Sequence, residues 1–263
     1  MIKLIATDID GTLVKDGTLS INPQYYRVIE ALIAQGIHFV VCSGRQYTSI
    51  EKLFRPIKEK LMYVTDGGTA IRSYTQILKV YELEERLWKE MQKDVRRNPA
   101  LDQVLATPDY SLAEDAGSRM FTWLRDSYGF RMKEVPNLGE VTNEQVIKLS
   151  VYHPTSCEEI CTPEFIPKWK DKVSIACAGK EWIDCVPLEA NKGTAIKWLQ
   201  QYWGIKPEET MAFGDNLNDI EMLKAAGESY AVGNAREECK AVAGHVIKPY
   251  SEDGVLEILK SLL

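Results

Sequence analysis

Leu4-Ile5-Ala6-Thr7-Asp8-Ile9-Asp10-Gly11-Thr12 is the stretch whose reading decides the fold. The apolar run reads as a buried strand, and two carboxylates emerge at its C-terminal end. Alternate residues of an extended chain face the same way, so Asp8 and Asp10 share one side. Carboxylates this close need a counter-charge, normally a metal ion, or one of them takes up a proton. Gly11 permits a sharp turn or a close backbone approach. The unit therefore reads as a hard-metal site with an aspartyl nucleophile. The plain alternative is a solvated strand-to-loop turn rich in Asp and Gly.

Outward from this stretch, strand and helix signals alternate. Asn22 reads as a helix N-cap with Pro23 at the first helical position, and Val28, Ile29, Leu32 and Ile33 recur at helical spacing up to Gly36. Residues 37–42 form a second apolar strand ending at Ser43-Gly44-Arg45, and Met62-Tyr63-Val64 a third, ending at Asp66-Gly67-Gly68. Repeated β-α-β units predict a parallel sheet with helices on both faces.

The middle of the chain differs. Leu83, Leu87, Met91 and Val95 share one face of a charged helix; strands are expected at 103–107, 146–152, 173–178 and 182–186, and a helix at 118–128. The pattern predicts a core of residues 1–82 and 188–263 with an α+β insertion at 83–187. The links near 80–84 and 185–190 are expected hinges. The alternating pattern resumes with a helix opening at Lys192-Gly193. The strand Thr210–Phe213 follows and runs into Gly214-Asp215-Asn216-Leu217-Asn218-Asp219. Further elements include the strand Ser229–Val232 and a terminal helix from Gly254 to Leu263.

Bulk properties narrow the class. A net charge of −6 over 263 residues disfavours a nucleic-acid partner, which would need a basic stripe. The six cysteines show no CxxC pair, so zinc and disulfide frameworks are not expected, and reduced thiols suit a cytoplasmic protein. No leader peptide is expected, and no apolar run approaches membrane-spanning length.

Four stations carry polar residues suited to one reaction: Asp8/Asp10; Ser43-Gly44-Arg45, where a hydroxyl and backbone N–H groups could hold a phosphate; Lys192; and Asp215 with Asn218 and Asp219. Each alone has a plainer reading, as a turn, a solvated lysine or a helix cap. Together they fall where a parallel sheet gathers its loops.

In that order, DxDGT at 8–12, SGR at 43–45, Lys192-Gly193 and GDNxND at 214–219 resemble the four motifs of the haloacid dehalogenase (HAD) superfamily of phosphohydrolases, in its Cof-type branch. The resemblance frames nearly the whole chain. It implies a doubly wound, mostly parallel α/β core of the HAD-like Rossmannoid kind with a C2-type α+β cap inserted after the second motif. The long interval from Arg45 to Lys192 has room for that cap. It further implies that Asp8 is the nucleophile and Asp10 the general acid and base. Mg²⁺ would be held by Asp8, the Asp10 carbonyl and Asp215, with Asp219 behind them. Ser43, Gly44, Arg45, Lys192 and Asn218 would bind phosphate or substrate, and Thr12 would support the Asp8 loop.

The expected activity is a Mg²⁺-dependent phosphatase acting on small soluble monoesters, sugar or cofactor phosphates, through an aspartyl-phosphate. A phosphotransferase or mutase, and more remotely a phospho-ligand sensor, are alternatives. The partner is a small phosphorylated metabolite, not a nucleic acid or a membrane, and the state a monomer or weak homodimer. Asp66-Gly67-Gly68 departs from the Asn-Gly-Ala of many Cof-type members. A turn is favoured for Asp66 over added charge near the leaving group. His38, His153 and His245 share no ligand spacing, and Trp88, Trp123, Trp169 and Trp182 read as packing residues.

Overall fold

The computed structural model describes residues 1–178 and 180–263. The chain begins with β1 (Leu4–Thr7), α1 (Gln24–Ala34), β2 (His38–Cys42), α2 (Tyr47–Leu53), β3 (Met62–Thr65), β4 (Ala70–Ser73) and β5 (Ile77–Val80). It continues through α3 (Glu85–Val95), β6 (Asp102–Ala106), β7 (Ser111–Ala113), α4 (Arg119–Asp126), β8 (Met132–Glu134), β9 (Lys148–Tyr152), α5 (Cys157–Cys161), α6 (Phe165–Trp169), β10 (Ser174–Ala178) and β11 (Trp182–Val186). It closes with α7 (Lys192–Trp203), β12 (Thr210–Gly214), α8 (Ile220–Ala225), β13 (Glu228–Val232), α9 (Glu237–Val242), β14 (His245–Ile247) and α10 (Gly254–Lys260).

Two compact units result. The first holds residues 1–45, 50–79 and 191–263, and the second residues 46–49 and 80–190. Among the described residues, the first unit is built on an eight-stranded sheet ordered β14-β13-β12-β1-β2-β3-β4-β5. From β14 to β3 neighbouring strands are parallel, as the alternating pattern predicts. The parallel run ends there, because β4 turns back antiparallel on β3. Every residue of β1 and β12 is buried, and the α1 face carrying Tyr25, Val28, Ile29 and Leu32 is buried too. Each such large apolar side chain contributes roughly 1.5–3 kcal/mol on burial.

The second unit is built on a sheet ordered β10-β11-β9-β6-β7-β8, antiparallel except for the parallel β7–β8 pair. One core of this unit gathers Trp88, Met91, Leu149, Val151, Trp169, Ile183 and Cys185. A second joins Phe121, Leu124 and Tyr152, with Trp123 and Trp182 packed against it.

Several boundaries move. The first helix starts at Gln24, which puts Pro23 rather than Asn22 at the N-cap; the Asn22 Oδ1 accepts the Gln24 N–H at 3.0 Å just ahead of the helix. The helix expected at 118–128 is α4, with Ser118 as its cap, accepting from Phe121 N. The terminal helix ends at Lys260, three residues early. Strands β4, β5, β7 and β8 and the short helices α5 and α6 were not predicted. At three to five residues they are too short for periodicity to register.

Candidate active site

Parallel pairing sets the geometry of the site. Thr7 at the end of β1 lies opposite Phe213 of β12 and Val41 of β2. The loops after these three strands therefore leave the sheet side by side at its carboxyl edge, where α/β sheets bind ligands. Asp8 opens the first loop, Ser43 the second and Asp215 the third. The Asp8 N–H, donating to Phe213 O at 3.0 Å, ties two of them together.

At the centre stands Lys192, fully buried at the start of α7. Asn191 fixes that start, its Oδ1 accepting the Thr194 N–H at 2.8 Å. The Lys192 ammonium donates to Asp8 Oδ1 at 2.5 Å and to Asp219 Oδ1 at 2.6 Å. The other Asp219 oxygen accepts the N–H groups of Asp215 and Asn216, both at 3.0 Å. Both of its oxygens are thus occupied by protein donors, which suits a supporting rather than a ligating role. Thr12 donates its hydroxyl to Asp215 Oδ1 at 2.8 Å. A Cβ on Gly11, at φ +83°, would lie 2.4 Å from Asp215 Oδ2, so this turn needs glycine for space as well as conformation.

Electrostatics mark the cluster as under-compensated. Burial pushes the Asp8 carboxyl well above the usual carboxylate range; Lys192 opposes this, while Asp219, Asp215 and Asp10 add to it. Asp215 is pushed up to about 6, mainly by burial and then by Asp219. Burial works against the Lys192 charge, but Asp219 and Asp8 outweigh it and hold the ammonium well above the ordinary lysine range. Oxygens of Asp8, Asp215 and Asp219 lie within 4.8 Å of one another. Lys192 offsets one of their three charges, and a divalent cation offsets the other two. An all-oxygen donor set suits a hard ion of the Mg²⁺ type. Asp8 and Asp215 are the side chains that could hold it.

The remaining predicted residues divide. Ser43 is buried, and its Oγ accepts the Arg45 N–H at 3.1 Å. Gly44 is partly exposed, with nothing within 4 Å of a notional Cβ. Asn218 is exposed on a 3₁₀ turn over residues 217–219. Arg45 is buried and turned onto the Asp10 carboxylate, not outward. The backbone of residues 66–68 forms a turn with φ of +50°, +77° and +108°. Its Asp66 and Gly67 N–H groups donate to Arg45 O and Ser43 O, both at 3.0 Å. A Cβ on Gly68 would sit 2.3 Å from the Asn191 carbonyl carbon. The departure from Asn-Gly-Ala thus has a local cause: in this backbone the third position has no room for alanine. Asp66 forms the turn, as favoured, and its side chain is fully buried.

Some supporting residues escaped the sequence. Asn234 Nδ2 donates to Gly11 O at 2.7 Å, and Arg236 N to Asp215 O at 2.9 Å. Neither carries a local signal, whereas Asn191, directly before a helical pattern, fits the N-cap signature and could have been read. Cys42 is buried near Asp8, Lys192 and Asp219, and burial pushes its thiol far up, so it is no nucleophile. His38 stacks on Trp203 at 4.0 Å, His153 Nδ1 accepts the Ser156 N–H at 3.2 Å, and His245 stacks on Tyr230. All three have structural partners.

A family model of haloacid dehalogenase-like hydrolases matches residues 5–259. The chain belongs to this family. A crystal structure from Eubacterium rectale is 56% identical, covering 100% of this chain and 99% of that one, with a TM-score of 0.92. An Escherichia coli relative, 5-amino-6-(5-phospho-D-ribitylamino)uracil phosphatase YbjI, is 26% identical over 100% of this chain and 96% of its own length. Phosphatase YwpJ of Bacillus subtilis is also 26% identical, over 99% and 100% respectively. The protein is a phosphatase of the HAD superfamily, Cof-type, with an α/β core and an α+β second unit. No helix among the described residues is long and apolar enough to cross a membrane.

Proposed function

We propose that the protein is a Mg²⁺-dependent phosphatase that hydrolyses small phosphate monoesters through an aspartyl-phosphate on Asp8. The observation that carries this reading is the buried Lys192 ammonium bridging Asp8 and Asp219 beside Asp215. A nucleophile so close to two other carboxylates serves no evident purpose in pure binding. Asp8, Asp215 and the Asp10 carbonyl would hold the Mg²⁺. When bound, the ion offsets the charge that keeps a phosphate dianion away from three carboxylates.

The rest of the work falls to the chain. Lys192 holds Asp8 in its attacking orientation and, with Ser43, the Gly44 N–H and Asn218, takes phosphate oxygens. An Asp8 oxygen attacks phosphorus as the bond to the leaving oxygen breaks. Asp10 gives that oxygen its proton. The Asp10 carboxylate then accepts a proton from water, whose oxygen attacks phosphorus and releases phosphate and free Asp8. Positioning and charge neutralisation are what phosphoryl transfer requires.

Residues 83–187 are the proposed cap, the part of the chain that sets substrate specificity. A sugar-like or cofactor-precursor phosphate is the proposed substrate class, supported by the ribitylaminouracil phosphate named for the Escherichia coli relative. The test is Asp8→Asn assayed with Mg²⁺ against a panel of phosphorylated metabolites. Turnover is expected to vanish with the melting temperature near that of the parent; persistent turnover would overturn the nucleophile assignment.

A further inference from the structure

A buried arginine is forked onto the carboxylate of Asp10. Arg45 Nε donates to Oδ2 at 2.7 Å, and Nη2 to Oδ1 at 2.5 Å. The Gly17 N–H adds a third donor to Oδ1 at 3.1 Å. The Arg45 side chain is 3% exposed, while Asp10 keeps 22% of its side chain open. The fork thus grips both carboxylate oxygens while part of the Asp10 side chain stays exposed.

We propose that Arg45 is a positioning residue that aligns the Asp10 carboxyl for proton transfer, rather than a ligand of the substrate phosphate. The inference rests on the reading of Asp10 as proton donor and acceptor given above. Two parallel N–H···O bonds from a planar guanidinium fix the plane of a carboxylate as well as its position; a lysine ammonium acts as a point charge and fixes only position. The backbone of Arg45 is itself pinned, its N–H by Ser43 Oγ and its carbonyl by the Asp66 N–H. The fork is therefore anchored in the loops after β2 and β3, while Asp10 sits in the loop after β1. Proton transfer depends first on geometry, so an aligned carboxyl is what the leaving oxygen meets.

Two esters with unlike leaving groups separate the possibilities. An alkyl phosphate such as glycerol phosphate or a sugar phosphate leaves as an alkoxide and needs a proton. p-Nitrophenyl phosphate leaves as a stabilised phenolate and does not. Asp10→Asn should slow steady-state turnover of both esters, because the same carboxylate activates the water, but in a single turnover it should keep the burst of nitrophenolate and lose the burst of alcohol. Loss of both bursts would overturn the acid–base reading and the Arg45 inference with it.

Given that selective loss, Arg45→Lys should reduce kcat for the alkyl ester by about 100-fold, within the range of general acid–base catalysis. The same variant should change the rate of the nitrophenolate burst from the aryl ester, and the inhibition constant of inorganic phosphate, by less than about 3-fold, because it retains the charge. A phosphate inhibition constant that rises in step with the loss would make Arg45 a phosphate ligand and overturn the proposal. Equal loss of the alcohol and nitrophenolate bursts would do the same. Should Arg45→Lys fold poorly, the Asp10→Asn/Arg45→Lys double variant carries the test, because no carboxylate is left unpaired in it. It should turn over the alkyl ester no more slowly than Asp10→Asn alone, and a further large loss would refute the coupling.

Discussion

Replacing Lys192 with methionine removes a fully buried ammonium from between Asp8 and Asp219 while keeping most of its volume. Breaking a buried pair by deleting one partner typically costs about 3–5 kcal/mol. The site also has a ceiling on that cost, because a stranded carboxylate can bind a proton. From an ordinary carboxylate value of 3.8, protonation at pH 7.5 costs about 5 kcal/mol, and at pH 5 only about 1.6 kcal/mol, at 1.36 kcal/mol per unit. The loss is therefore pH-dependent, roughly three times larger at pH 7.5 than at pH 5. For a chain of this size about 4 kcal/mol corresponds to a fall in Tm on the order of 10 °C. Lys192 itself adds no pH dependence in this window. Its folded pKa is raised, so its contribution is fully present below the unfolded lysine pKa and is lost only at much higher pH. The assay is thermal unfolding of parent and variant without divalent cations, at both pH values. A loss of equal size at pH 5 and pH 7.5, or no loss at all, would refute the view of Lys192 as the counter-charge of this cluster.

Other consequences follow from the same contacts. Asp215, pushed up to about 6 against an ordinary 3.8, contributes stability that is present below pH 3.8 and lost as pH rises through 6, about 3 kcal/mol in all. Metal-free protein should accordingly melt higher at pH 5 than at pH 7.5, and Mg²⁺ should raise Tm more at pH 7.5; the opposite trend in differential scanning fluorimetry would count against the site. Gly68→Ala drives a Cβ into the Asn191 carbonyl from a left-handed backbone, a strain of about 1–3 kcal/mol, and should shift the start of α7. Its turnover should fall at least as steeply as its Tm, and unchanged kinetics would show that Lys192 does not depend on this turn. Thr12→Val removes a hydroxyl that favours ionised Asp215, worth about 1.5–3 kcal/mol for a bond to a charged group. Mg²⁺ affinity by calorimetry should weaken more at pH 6 than at pH 8, and an equal change at both pH values would contradict that role.

The doubly wound core and the chemical inventory were legible in the sequence because their causes are local. Fully buried strands such as Leu4–Thr7 and Thr210–Gly214 read as unbroken apolar runs, α1 carries a periodic apolar face, and α7 carries its own cap. Strand ends bearing Asp8, Ser43 and Asp215 could be placed at one edge from the β-α-β pattern alone. Short elements such as β7, α5 and α6 stayed hidden, because a few residues held by tertiary packing leave no period to detect.

Which partner each side chain takes was decided only by the tertiary structure. Sequence spacing puts Asp8 and Asp10 on one side of a strand but says nothing about which cations they meet, 184 and 35 residues further along the chain. The fold gives Asp8 the Lys192 ammonium and Asp10 the Arg45 fork, so that two carboxylates of the same type sit in unlike surroundings. The turn at 66–68 likewise shows its reason only when the Asn191 carbonyl is seen against Gly68. Residue types set which reaction the chain can perform; long-range packing, which alone brings distant backbone and charge within 3 Å, sets the partner of each group.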